Sequence, residues 1–61
     1  MNAYTITGYK NGVEVDQLTC KRKTLKSVKV SVTRYFRGAV DKIEVIENGE
    51  LVAVKSKGKW A

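Results

Sequence analysis

The single cysteine of this 61-residue chain, Cys20, is its most nucleophilic side chain by type. Three basic residues, Lys21-Arg22-Lys23, follow it directly, and neighbouring positive charge favours the reactive thiolate form of a cysteine. A nucleophilic cysteine also needs a general base, and the chain contains no histidine, the side chain that most often supplies one near neutral pH. The composition therefore favours the other interpretation of Cys20, a small apolar residue at the end of a strand.

The sequence also offers few residues for acid–base catalysis or for metal binding. Glu47 and Glu50 flank the dipeptide Asn48-Gly49 and can meet at a turn, but an exposed turn neither excludes water nor shifts a pKa. One cysteine without histidine provides no zinc-site spacing, and the five glycines are too dispersed for a phosphate-binding loop. We therefore expect a protein that is not an enzyme and that takes no cofactor, metal or small-molecule substrate.

The positive charge of this sequence is concentrated in two segments. Residues 21–37 hold seven lysines or arginines and no acid, and residues 55–59 add three lysines beside Trp60. Such a surface can neutralise successive phosphates, and an indole can stack on an unpaired base. The alternatives are a solvated helix face and a tryptophan that closes the core. The candidate residues for binding DNA, RNA or an acidic partner are Lys21, Arg22, Lys23, Lys26, Lys29, Arg34, Arg37, Lys55, Lys57, Lys59 and Trp60.

Two Asn-Gly dipeptides predict the elements that position these residues. Asn11-Gly12 and Asn48-Gly49 each lie between alternating apolar residues, the strongest short-range signal for a hairpin. A two-residue loop at Asn11-Gly12 predicts a register that puts Tyr4, Ile6, Val13 and Val15 on one face. The second dipeptide likewise groups Ile43, Val45, Val52 and Val54, so strands are expected at roughly 3–10, 13–20, 41–47 and 50–56.

The middle segment fits two templates. Residues 27–33 alternate strictly and are rich in β-branched side chains, which favours a strand. A helical period instead explains residues 24–38, with Thr24 as N-cap, Gly38 near the end, and Val30 alone breaking the apolar stripe. That stripe comprises Leu25, Val28, Val32, Tyr35, Phe36 and Ala39.

The helical template predicts an α+β fold of order ββαββ. One helix packs on a four-stranded sheet built from two hairpins, giving a small two-layer domain. Its parts are a hairpin at 3–20, a helix at 24–38, a hairpin at 40–56 and a basic tail at 55–61, all in a single domain over 1–61. The alternative is an all-β, five-stranded barrel of SH3-like or OB-like type.

The same register predicts an apolar outer face on the sheet. It leaves six residues there as a possible interface, namely Tyr9, Leu18, Cys20, Ile46, Leu51 and Ala53. We expect a small non-catalytic interaction or regulatory domain that binds a protein partner or forms a homodimer through this face. The alternative is a nucleic-acid-binding module that uses the basic helix and tail.

The location follows from the N-terminus and from cysteine use. Residues 1–5 lack the basic start and apolar run of a signal peptide, and the chain has no apolar stretch of about 20 residues. A lone cysteine favours a reducing compartment. We expect a cytoplasmic protein without a membrane partner.

Overall fold

In the computed structural model, which describes residues 2–61, both Asn-Gly dipeptides turn the chain between paired strands. Asn11 and Asn48 both adopt φ 54°, the left-handed conformation that such turns require. The elements are β1 Asn2–Lys10, β2 Val13–Arg22, α1 Leu25–Phe36, β3 Lys42–Glu47, β4 Glu50–Ser56 and β5 Lys59–Trp60. The predicted α+β class is confirmed, and the all-β barrel is wrong because the middle segment is helical.

The sheet has one strand more than the prediction. Its order is β2-β1-β3-β4-β5 with every neighbouring pair antiparallel. The extra strand arises because Lys57-Gly58 forms a third tight turn, with φ 53° and 80°, that returns residues 59–60 against β4. The expected tail is therefore a short hairpin packed on the sheet edge.

Helix α1 begins as its sequence predicts. The Thr24 hydroxyl oxygen accepts a hydrogen bond from the Ser27 amide at 3.2 Å, which satisfies one of the free N–H groups of the first turn. Val28, Val32 and Phe36 bury the predicted stripe against the sheet. Two members of that stripe are outside the core. Tyr35 is 58% exposed, and Ala39 is exposed beyond the helix end.

The helix ends at a residue that the prediction did not single out. Arg37, and not Gly38, takes the left-handed conformation (φ 55°) that stops the helix, and its amide donates to the Thr33 carbonyl at 3.0 Å. Just before this point Phe36 lies against Gly8 of β1. A Cβ on Gly8 would stand 2.7 Å from Phe36 Cε1, so this glycine permits the close approach of helix and sheet.

One extra residue in β2 changes the predicted register of the first hairpin. Lys10 pairs with Val13 as expected, but Gly8 pairs with Asp16 because Val15 forms a bulge. Past the bulge every β2 side chain changes face, since side chains alternate along a strand. Leu18 and Cys20 therefore pack against the core, which corrects their predicted place on the outer face, and Val13 and Val15 are exposed.

A second bulge, at Val52, has the same effect on the other hairpin. Val45 pairs with Ala53, and Ala53 is buried in the core at 4% exposure, so its predicted outer position is wrong. Val54 pairs with Glu44 on the outer face instead of the core face. Both errors have one cause: a bulge inserts a residue without a sequence signature, and each shifts the pattern by one position.

Candidate functional site

Trp60 is the residue at which the predicted helix and tail candidates meet. It lies opposite Lys55 in the β4–β5 pair and packs, half-buried, against the core. The Lys29 Nζ atom is 5.4 Å from the centre of its ring, and the Lys55 Nζ atom is 5.9 Å from it. Two cations from different elements thus lie next to the same indole ring. Both distances are within the range of cation–π attraction.

A cavity of about 310 Å³ opens beside this ring, and we call it the tryptophan cavity. Its wall is formed by α1 on one side and Trp60 on the other. Val30, the residue that breaks the apolar helical stripe, lines it and is 50% exposed. Its lining is completed by Lys26, Lys29, Thr33 and Arg34. The position of Val30 outside the apolar stripe therefore indicated in the sequence that the helix has a second apolar surface here.

A second cavity, of about 320 Å³, lies at the end of α1, and we call it the C-terminal cleft. Phe36, Val40 and Ile43 provide its apolar floor. Charged residues at its rim come from four segments of the chain, and they are Arg37, Asp41, Lys42, Lys55 and Lys57. Sequence reasoning missed Asp41 and Lys42, because their approach to the helix end depends on strand order.

The two cavities adjoin, since Thr33 lines both. The Lys55 ammonium donates to the Thr33 hydroxyl at 3.3 Å and so stands at the boundary between them. Together the cavities form a surface between α1 and the β4–β5 hairpin that we call the basic groove. With a rise of about 1.5 Å per residue, the stretch from Lys26 to Arg37 makes the groove about 16 Å long.

The groove is electrostatically unbalanced. Among residues 2–61 the one salt bridge joins Lys42 Nζ to Glu44 Oε2 at 3.2 Å, and it draws the Lys42 ammonium toward the Tyr9 ring. The carboxylate of Asp41 accepts from the Asn11 amide at 2.9 Å. Lys26, Lys29, Arg34, Arg37, Lys55 and Lys57 have no acidic partner within the described chain. Their charge is available to an anion.

Four predicted binding residues line neither cavity. Lys21 and Arg22 end β2, and Lys23 precedes the N-cap of α1. Lys59 precedes Trp60 in β5, so its side chain points to the opposite face of the sheet. The structure thus divides the basic candidates into a groove set, which comprises Lys26, Lys29, Arg34, Arg37, Lys55, Lys57 and Trp60, and a remote set.

The predicted interface is smaller than expected after the change of register. Tyr9, Ile46 and Leu51 keep their outer positions, and Leu51 is 51% exposed. The Tyr9 hydroxyl donates to Glu44 Oε1 at 3.0 Å, and this hydrogen bond raises the pKa of Tyr9 above its ordinary value of 10.0. The remaining patch is bordered by these polar contacts.

The structure places the residues considered for catalysis beside the core and at a hairpin turn. Cys20 is a free, partly buried thiol that packs against the core. Glu47 and Glu50 pair across their turn, and no group of three metal-ligating side chains occurs in the part of the chain that the structure describes. No helix within residues 2–61 is long and apolar enough to cross a membrane.

Comparison of this chain with protein-family models, with curated proteins and with solved structures gave no significant match.

Proposed function

We propose that this protein binds single-stranded nucleic acid, with a base stacked on Trp60 and the phosphate backbone along the basic groove. The observation that carries the proposal is the convergence of Lys29 and Lys55 on one indole ring, with no carboxylate beside either ammonium in the described chain. Unpaired like charges held together repel each other, and a bound polyanion removes that repulsion.

The helix itself supports this interpretation. Its first turn contains no acid, although carboxylates near a helix N-terminus stabilise the helix through its dipole. Lys26, which lines the groove, occupies that turn, where its positive charge opposes the helix dipole. A bound anion at this end of the groove would compensate that unfavourable interaction.

A single-stranded nucleic acid fits the dimensions of the groove. Trp60 keeps one side of its ring against the core while it lines the mostly apolar tryptophan cavity, and stacking on an aromatic ring tolerates any base. At about 3.4 Å per stacked nucleotide, about 16 Å of groove accommodates four or five nucleotides. The proposed binding is non-catalytic and independent of sequence, because phosphate contacts do not distinguish bases.

Tryptophan fluorescence tests this proposal directly, because Trp60 is the single tryptophan. We expect a mixed-sequence single-stranded dodecanucleotide to quench it. The logarithm of the affinity should fall with the logarithm of salt concentration, with a slope on the order of −3. Replacing Lys29 and Lys55 together by glutamine should weaken binding by roughly tenfold or more.

The matched control is the double replacement Lys10→Gln with Lys59→Gln, which removes the same charge outside both cavities. It should lower the affinity much less than the groove variant. Equal losses in the two variants, or binding without quenching of Trp60, would show that the contact is diffuse and would overturn the proposal.

Self-association through the outer face is the second candidate function. The observation that favours it is the half-exposed Leu51 beside Ile46 and Val54 on adjacent strands. A stable interface covers about 800 Å² on each partner, roughly a fifth of the 4271 Å² surface described here. Ile46 and Val54 are partly buried, so Leu51 is the main exposed contribution to this patch, and nucleic-acid binding ranks first. Sedimentation as a function of concentration tests this candidate.

A cytoplasmic location belongs to the same proposal. Cys20 is a free thiol beside the core, and a reducing compartment keeps such a thiol unmodified. Trapping free thiols in intact cells would detect an oxidised Cys20, and a largely oxidised state would argue against this location.

A further inference from the structure

Two cations in the C-terminal cleft occupy backbone positions that usually belong to other residues. Four non-glycine residues adopt positive φ in the described chain, and two of them, Asn11 and Asn48, are the asparagines expected there. The other two are Arg37 (φ 55°) and Lys57 (φ 53°). Both line the same cleft, although they come from a helix end and a hairpin turn more than a dozen residues apart.

The Lys57 turn can be compared with two others in the same molecule. Asn11-Gly12, Asn48-Gly49 and Lys57-Gly58 share one geometry, with φ near 54° at the first position and near 80° at the second. Asparagine tolerates that first position because its short side chain hydrogen-bonds locally, whereas lysine has no such compensation. The third turn therefore carries a strained cation where the fold alone favours asparagine.

Arg37 presents the parallel case at the helix end. The left-handed residue that stops a helix is most often glycine, and Gly38 is the next residue in the chain. Arg37 takes the left-handed position instead, and its Nε donates to the Arg34 carbonyl at 3.2 Å. This contact holds the guanidinium at the cleft. The two residues with a strained backbone, Arg37 and Lys57, thus both place a cation at the C-terminal cleft.

We propose that the C-terminal cleft binds a phosphate group through Arg37, Lys55 and Lys57. This inference deepens the proposed function and rests on it, because the phosphate is that of the nucleotide next to the base on Trp60. Lys55 links the two places, since its ammonium is 5.9 Å from the Trp60 ring centre and it also lines the cleft. These three cations come from three segments and have no acidic partner among residues 2–61, which suits a tetrahedral anion with oxygens in several directions.

Two features of the cleft oppose an anion, and both are already compensated. The carboxylate of Asp41 is engaged by the Asn11 amide at 2.9 Å. The negative end of the helix dipole arises from free carbonyl groups, and three of those in the last turn accept hydrogen bonds. The Thr33 carbonyl accepts from the Arg37 amide and the Arg34 carbonyl from Arg37 Nε, while the Phe36 carbonyl accepts from the amides of Gly38 and Ala39. Lys42 is not counted as a ligand, because its ammonium is paired with Glu44 on the outer face.

The test replaces Lys57 by asparagine, which makes the third turn chemically like the other two. Because the strain is relieved while a ligand is lost, we expect the melting temperature to rise by a few degrees and binding of the dodecanucleotide to weaken. The slope of affinity against salt should become shallower by about 0.7, the loss of one contact to a single strand. Arg37→Gly should behave in the same way.

Lys59→Asn is the matched control, since it makes the same change two residues further on, outside the cleft. This variant should leave the salt slope unchanged and should have the same melting temperature as the wild-type protein. If the wild-type protein binds the oligonucleotide and both cleft variants bind with the wild-type slope, the phosphate site is excluded while the proposed function stands. If the wild-type protein binds no oligonucleotide, the proposed function fails first and this inference fails with it.

Discussion

Single side chains in this protein often have contacts that periodicity does not predict. Tyr35 belongs to the apolar stripe by its spacing, yet it is 58% exposed and its hydroxyl donates to Asp16 Oδ2 at 2.8 Å. Its ring also meets Phe36 edge to face, with centres 5.0 Å apart. Tyr35 thus joins α1 to the edge strand β2 by a polar contact at the margin of the core.

This contact predicts an alkaline instability. The hydrogen bond to Asp16, and then the charge of that carboxylate, raise the pKa of Tyr35 above its ordinary value of 10.0. A group whose pKa is raised by folding stabilises the native state fully below its unfolded pKa, and that contribution is lost as pH rises through the folded pKa. We expect Tyr35→Phe to lower stability near neutral pH and to flatten its decline above pH about 10.

Urea denaturation over a series of pH values measures this effect. The Asp16→Asn variant is the control, because it keeps the phenol and removes the carboxylate, so the pKa of Tyr35 should return toward its ordinary value. Superimposable pH profiles for wild type and Tyr35→Phe would contradict the prediction.

At the scale of elements, the helix and the first two hairpins could be predicted because each has a local chemical cause. Asn-Gly permits positive φ, Thr24 caps the helix, and Val28, Val32 and Phe36 repeat at the helical period. The two bulges could not be predicted, since Val15 and Val52 resemble any other strand residue. Strand β5 was missed because Lys57-Gly58 lacks the usual asparagine.

The candidate site was predictable in composition but not in arrangement. Lys29, Lys55 and Trp60 were all identified as binding residues, yet their meeting depends on how α1 lies relative to the β4–β5 hairpin. Lys59 was included with them and faces away, because the sequence did not show that residues 59–60 form a strand. Long-range packing decides which charges become neighbours.

The junction of α1 with β1 supplies a prediction at this scale. Adding one methyl group by Gly8→Ala would bring a carbon within 3 Å of Phe36 and of Val40. We expect a loss of about 1–3 kcal/mol in the free energy of unfolding, as for other overpacked cores. Urea denaturation provides the measurement.

Phe36→Leu tests whether this clash is the cause. In a double-mutant cycle the smaller side chain should recover part of the loss due to Gly8→Ala, because the two changes act on one contact. Strictly additive effects of the two substitutions would contradict this explanation.

The whole molecule has a positive face and a mixed face. The basic groove gathers six cations on the helix side that have no acidic partner in the described part of the chain, while Glu14 and Glu44 lie on the outer face of the sheet. Ligand and partner surfaces would therefore be on opposite sides, and occupation of one leaves the other accessible. The two candidate functions are compatible for this geometric reason.

Self-association gives the prediction at this scale. If the outer face forms an interface, sedimentation should show a weak monomer–dimer equilibrium that Leu51→Ser abolishes, because that leucine is the most exposed apolar residue of the patch. Val13→Ser is the control, since Val13 is even more exposed, at 64%, but lies at the tip of the first hairpin. A monomer at every concentration, or equal effects of the two substitutions on dimerisation, would exclude this candidate.

The pairing of β1 with β3 governs how the molecule is assembled in time. Among the strands of residues 2–61 it is the one pairing that joins residues more than thirty positions apart, as in Tyr9 and Lys42, whereas every other pair is a local hairpin. Closing that loop costs about 3 kcal/mol in chain entropy, so we expect it to form after the local hairpins. That pairing brings the β4–β5 hairpin to the open side of α1, where Lys55 Nζ donates to the Thr33 hydroxyl. If the groove binds nucleic acid as proposed, contacts to both of its sides require the completed fold, so we expect the bound strand to slow unfolding.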